Sequence, residues 1–114
     1  MLELDRIPTH TIATHPGEIL RSEFLEPLAI SQAQLAKDLE VSGQRINDLV
    51  NARRGITTDT AVLLSARFKT SVGFWMNLQY AYEISKRCVE DPEFLKKVRK
   101  IKTRATKQDH SLAA

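Results

Sequence analysis

The sequence has one cysteine, four glycines and four prolines in 114 residues. A lone Cys88 cannot close an internal disulfide, so a reducing, cytoplasmic compartment is expected, with pairing between two copies as the minor alternative. So few glycines and prolines argue against a turn-rich β fold and favour helices with short connections. No apolar run approaches the roughly 18 residues of a membrane span. The opening residues Met1-Leu2-Glu3-Leu4-Asp5 lack the apolar stretch of a signal peptide. Catalytic motifs are missing too: there is no phosphate loop, no nucleophile elbow and no Cys/His arrangement. The three histidines, His10, His15 and His110, have no second ligand at metal-binding spacing and read as structural or surface residues. Glu18, Glu23 and Glu26 read as a solvated face, with Glu23 against a basic partner as the alternative. The expectation is a protein with no enzymatic activity, no metal and no cofactor.

What is present fits one small helical domain. Hydrophobic residues make up 42% of the chain, enough for one modest core. The net charge of +3 is unevenly spread. Residues 93–114 hold seven basic residues and two acidic ones, which leaves a near-neutral body and a basic tail. Three parts are expected: an arm at 1–14, a helical domain at 15–90, and a basic helix and tail at 91–114.

Caps and apolar spacing divide the chain further. Pro16-Gly17-Glu18 opens a first helix carrying Ile19, Leu20, Phe24, Leu25 and Leu28, which Pro27 ends. Ser31 caps a second helix, Gln32–Leu39, with Leu35, Ala36 and Leu39 inward. Glu40-Val41 is a very short connection. Ser42 caps a third helix, Gly43–Asn51, with Ile46, Leu49 and Val50 inward. Thr57 or Thr58 caps a fourth, with Ala61, Val62, Leu64 and Phe68 inward. Ser71 caps a fifth, bearing Phe74, Trp75, Leu78, Ala81 and Tyr82. Asp91-Pro92 reads as a break and restart. A sixth helix, Glu93–Ile101, then has Phe94, Leu95, Val98 and Ile101 on one side and lysines on the other. Residues 103–114 are polar and read as disordered.

The second and third helices carry the functional signal. Two capped helices of about two turns, a minimal linker, small Ala36 at the crossing and Val41 under the turn describe a helix-turn-helix. The second helix of such a pair enters the DNA major groove by its N-terminal end. Its exposed residues are Gln44, Arg45, Asn47, Asp48 and Asn51, followed by Arg53 and Arg54. Amide side chains can pair with adenine and Arg with guanine, so Gln44, Arg45 and Asn47 are the candidate base readers. Gln32, Ser42, Asn51, Arg53 and Arg54 are the candidate phosphate contacts. The competing reading of the same residues is an ordinary solvated helix face.

These residues also carry a resemblance. Ile30-Ser31-Gln32-Ala33-Gln34-Leu35-Ala36 with Arg45-Ile46-Asn47 resembles the phage-repressor (Xre-type) helix-turn-helix domains. His15-Pro16-Gly17-Glu18-Ile19-Leu20-Arg21, Arg54-Gly55-Ile56-Thr57, Asp59-Thr60-Ala61 and Phe74-Trp75-Met76-Asn77-Leu78-Gln79 look like the HigA-type antitoxins of bacterial toxin–antitoxin pairs. The resemblance runs from His15 to about Ile84. It implies an all-α, five- to six-helix, phage-repressor-like fold. It also implies a dimer that binds operator DNA, represses its own operon and neutralises a small basic, RelE-like mRNA-cleaving toxin. A stand-alone repressor, and a toxin-inhibiting module without specific DNA binding, are the alternatives.

Four features depart from the family pattern. Glu40 stands where the turn usually has Gly, at a position that often takes a left-handed conformation costing roughly 1 kcal/mol. Gly43 replaces a long polar side chain, which moves base reading onto Gln44, Arg45 and Asn47. Ala52 replaces a usual Gly. The basic segment past Asp91 extends beyond the family's usual end and could contact phosphates, contact the toxin or only solubilise. The aromatic cluster on the fifth helix reads as core for Phe74 and Trp75. Met76, Tyr80 and Ile84 fall on other sides of that helix, more apolar surface than a small domain buries alone. A homodimer interface through Phe74, Trp75, Leu78 and Tyr82 is therefore expected.

Overall fold

The structure, a computed structural model, describes residues 7–102. The first six residues of the arm and the tail at 103–114, read above as disordered, lie outside the described residues. Six α-helices and no strand occur among the described residues. They are α1 (Pro16–Leu20), α2 (Gln32–Leu39), α3 (Gly43–Val50), α4 (Thr58–Phe68), α5 (Val72–Glu90) and α6 (Pro92–Lys100). The all-helical expectation holds, with the second helix bounded as the sequence predicts.

Side-chain caps start each helix. Ser31, Ser42, Thr57 and Ser71 each accept a hydrogen bond from the backbone N–H three residues on, satisfying one of the orphan donors of a first turn. Asp91 does the same for α6, with Pro92 in its first turn. α1 is capped by an imidazole: Nδ1 of His15 accepts from the Gly17 N–H at 2.9 Å. α1 runs on into a π-helical turn, Arg21–Leu25, in which the Glu26 N–H reaches back five residues to the Arg21 carbonyl.

The core is one cluster drawn from α1 to α5. Leu20, Leu35, Ile46, Leu49, Ala61, Leu64 and Trp75 are almost wholly enclosed, with Phe24, Val41, Phe68 and Leu78 packed against them. Gly17 sits where α1 meets the end of α3. A Cβ there would lie 1.7 Å from the Leu49 carbonyl oxygen, so only glycine permits this approach.

Some apolar assignments change. Val62, placed inward above, is 48% exposed, because it lies about 100° round the helix from buried Ala61. Leu28 is exposed in the turn after Pro27, and Ile101 lies beyond the end of α6 and is exposed. Cys88 is buried on α5, which removes it from pairing between copies. The arm is tied down where it is described: the Ala13 N–H donates to Ser85 Oγ at 2.8 Å.

Among the described residues four other than glycine hold positive φ, Ala29, Glu40, Ala52 and Lys69, while no glycine does. Glu40 takes the left-handed conformation expected of it (φ 55°, ψ 43°), and its N–H closes the end of α2. Ala52, with φ 61°, carries the same strain.

Candidate nucleic-acid interface

α2 and α3 form the helix-turn-helix, joined at Glu40–Ser42. Ala36 is buried at their crossing and Val41 packs against the core beneath the turn. On α3, Ile46, Leu49 and Val50 face the core. At about 100° per residue, Gln44, Asp48 and Asn51 point the opposite way, with Arg45 and Asn47 on the two flanks.

A chain of hydrogen bonds runs across this surface. Asn47 Nδ2 donates to Gln32 Oε1 at 3.2 Å, which joins α3 to the first residue of α2. Asn47 Oδ1 accepts from the Arg53 guanidinium at 2.6 Å. Arg53 Nε also donates to Asp48 Oδ1 at 3.1 Å, and Gln44 Nε2 donates to the same oxygen at 2.7 Å. The Gln44 amide first, and the Arg53 guanidinium after it, hold the Asp48 carboxyl below the usual carboxylate range. The structure thus brings together Gln32, Gln44, Asn47 and Arg53 of the predicted set.

Each predicted contact has a definite remaining capacity. Gln32 spends its carbonyl on Asn47, and its amide N–H groups stay available to donate outward. Ser42 Oγ accepts from the Arg45 N–H at 3.1 Å, and its hydroxyl proton stays available to donate outward. Asn47 uses one N–H and one carbonyl lone pair within the protein, which ties α2, α3 and the following loop together, and keeps one of each unspent. Arg45 leans to the other flank and donates to Thr60 Oγ1 of α4 at 2.6 Å, one of five donors in its fork. Asn51 donates to the Asn47 carbonyl at 2.9 Å, while Arg54 is exposed.

Sequence reasoning missed how the arginine loop is held. The Ile56 N–H donates to Gln79 Oε1 of α5 at 2.7 Å, a buried bond. A Cβ at Gly55 would come within 2.7 Å of the same side-chain amide. The Arg54-Gly55-Ile56-Thr57 block and the Phe74–Gln79 block are therefore two halves of one latch. Glycine in the first and glutamine in the second were the available signals, but only three-dimensional contact pairs them. Asp48 was noted as exposed and given no role. Its spacing from Gln44, i to i+4, is the signal for a hydrogen-bonded pair.

The predicted dimer residues separate. Trp75 has no exposed surface, and its indole N–H donates to Thr70 Oγ1 at 2.7 Å, so it belongs to the core of its own chain and drops out of an interface. Phe74, read above as core, is 39% exposed, and Leu78 and Tyr82 are half-buried. Tyr82 packs its ring edge-on against His15, 4.7 Å between centroids. Tyr80, outside the predicted set, is exposed beside them in the sequence. Among the described residues no group of acidic, His or Cys side chains could hold a metal ion, and no helix is long and apolar enough to cross a membrane.

Fold and site define a helix-turn-helix protein of the Xre-like class, and a family model described as Helix-turn-helix matches residues 22–75. The chain is 50% identical over 72 residues to Virulence-associated protein I of Dichelobacter nodosus, across 63% of this chain and 67% of the relative. It is 32% identical over 83 residues to Antitoxin HigA-1 of Vibrio cholerae, across 70% of this chain and 78% of that protein. Among solved structures it resembles the Pseudomonas aeruginosa antitoxin HigA with the higBA promoter, with TM-score 0.71 and 41% identity, covering 81% of this chain and 98% of that one. The chain belongs to the HigA antitoxin family of helix-turn-helix proteins.

Proposed function

We propose that this protein is the antitoxin of a toxin–antitoxin pair and represses its own operon as a dimer on operator DNA. The observation that carries the reading is the outer surface of the capped α2–α3 pair. There Gln32, Ser42, Gln44, Arg45, Arg53 and Arg54 keep donors free for nucleic acid, and a hydrogen-bond chain fixes the places of Gln32, Gln44 and Arg53. The relative solved with promoter DNA supports the same reading. The recognition helices of two protomers would enter successive major grooves about 34 Å apart. Arg45, Gln44 and Asn47 would read base edges, and Gln32, Ser42, Asn51, Arg53 and Arg54 would grip phosphates. Phe74, Leu78 and Tyr82 on α5 supply apolar surface for the second copy. The remaining partner is a small basic RelE-like toxin, and the protein's work is binding, carried out in the cytoplasm.

A module that inhibits a toxin without reading DNA finds little support in Glu40, because that residue closes α2 in the left-handed conformation the turn requires. The test is fluorescence anisotropy on the protein's own upstream promoter DNA against a scrambled duplex, at low and physiological salt, beside Arg45→Ala. Preference for the promoter that persists at physiological salt, and a loss of roughly 1–3 kcal/mol in Arg45→Ala, is the expected result. Equal binding to both duplexes that vanishes with salt would leave only backbone electrostatics and end the repressor role. Co-purification with a tagged small basic protein from the neighbouring reading frame tests the antitoxin role separately.

A further inference from the structure

Asp48 is the unexpected group on the proposed DNA-facing surface. It stands near the middle of the outward side of α3, opposite Ile46, Leu49 and Val50. The two flanks carry anchored side chains: Arg45 donates once to Thr60, and Asn47 bonds Gln32 and Arg53. One turn earlier, Gly43 has no neighbour within 4 Å of where a Cβ would be, so that end of the helix is open to approach. A bare carboxylate between two lines of phosphates would be repelled. Here Arg53 compensates its charge at 3.1 Å, and Gln44 fixes its orientation at 2.7 Å. Both donate to Oδ1, and Oδ2 accepts from no described residue.

We propose that Asp48 is a specificity-determining residue that selects a cytosine in each operator half-site. The inference rests on α3 entering the major groove. An ionised carboxylate only accepts hydrogen bonds, so it rewards bases that present a donor there. Cytosine presents its N4 amino group as a donor, guanine presents two acceptors, and thymine an acceptor and a methyl group. Adenine has an amino donor beside the acceptor N7, and that lone pair opposes a carboxylate. Cytosine is the base that fits without a conflict. Gln44 and Arg53 make this an already assembled unit, so little order is lost when it meets the base edge.

The experiment is selection from a pool of random duplexes by the full chain, followed by anisotropy on the winning sites. It compares wild type, Asp48→Asn and Asp48→Ala. Asp48 is half-buried outside the core cluster, and thermal melting checks that all three fold alike. Wild type is expected to favour cytosine at least about fivefold at one position per half-site. Asp48→Ala should reduce that preference below about twofold, with the other positions unchanged. Asp48→Asn should move it towards adenine, which an amide pairs through N6 and N7. Identical preference profiles for all three proteins, even with a uniform gain in affinity from the lost negative charge, would overturn the proposal. So would a wild-type preference for adenine, in place of cytosine, that Asp48→Ala abolishes. A wild type with no preference at any position would instead defeat the underlying DNA-reading role, before any variant is compared.

Discussion

The front of the molecule, α1 to α3, and its rear, α5 with α6, are built from similar material. Both use capped amphipathic helices, and both carry basic residues on an exposed face. They are held differently. At the front, Gly17 lets α1 touch the Leu49 backbone, and every helix contributes to the central core. The cations there are placed by partners: Arg53 by Asp48 and Asn47, Arg45 by Thr60. At the rear, Cys88 and Leu95 are buried outside that core cluster, and Arg87 lies over the Phe94 ring at 3.8 Å. Lys97, Lys100 and Lys102 of the basic segment are exposed. Placed cations can discriminate between base sequences, whereas exposed, mobile ones add affinity that salt screens.

The largest effects should expose this difference. Gly17→Ala drives a Cβ into the Leu49 carbonyl, and neither backbone can yield without separating α1 from α3. Urea unfolding should show a loss of more than about 4 kcal/mol, or no folded protein at all. Leu95→Ala at the rear also opens a buried site, yet its cost should stay local. Amide hydrogen exchange should show α6 losing protection while the main unfolding transition barely moves. A global transition that shifts as much for Leu95 as for Gly17 would mean the two regions form one cooperative unit.

Next comes the latch that joins the two regions. Gln79→Leu removes the acceptor for the buried Ile56 N–H. Leaving that donor unpaired costs about 1–3 kcal/mol in thermal or urea unfolding. Because the same contact holds the loop after Arg53 and Arg54, operator affinity should fall further than stability alone explains. DNA titration well below the melting temperature separates the two effects, and unchanged affinity there would make Gln79 purely a stability residue.

Much of this architecture was legible in the sequence, because it rests on local rules. Ser31, Ser42 and Ser71 announce helix starts through side-chain oxygens that reach only three residues. Leu35, Ala36, Leu39, Ile46 and Leu49 follow the helical period and are all buried. The partners that anchor individual side chains were not legible, because they depend on contacts remote in sequence. Arg45 turns to Thr60, Asn47 is shared between Gln32 and Arg53, and Trp75 sinks into the core beside Phe24. Periodicity says which face a residue is on, but not which neighbour will claim its polar atoms.

A smaller effect concerns how the chain uses glycine. Left-handed positions fall to Ala29, Glu40, Ala52 and Lys69, while Gly17 and Gly55 serve close approach. Glu40→Gly should relieve the αL strain at the turn, partly offset by the greater freedom of glycine in the unfolded chain. The net gain should be about 0.5–1 kcal/mol by urea unfolding, with DNA affinity unchanged. A loss of affinity would show that the Glu40 side chain itself takes part in recognition.

The smallest effect lies at the seam between front and rear, in His15. Its Nδ1 can accept from the Gly17 N–H only while that nitrogen carries no proton, and its ring rests on Tyr82 of α5. Burial first, and then Lys86 on α5, lower its pKa, against a smaller opposing pull from Glu18. The unfolded chain therefore takes up a proton more readily than the folded one. The stability this group contributes is complete above its unfolded value of about 6.5, and is lost as the pH falls through the lower folded value. The carboxylates Asp38, Asp48 and Asp91 have lowered pKa values too, so their contributions fail only below about pH 4 and leave this window clear. Melting temperature should therefore decline as the pH drops from about 6.5 towards 5. His15→Asn retains a capping oxygen but cannot titrate, so the slope should disappear in that variant. A slope that persists would assign it to some other group and leave His15 as a simple cap.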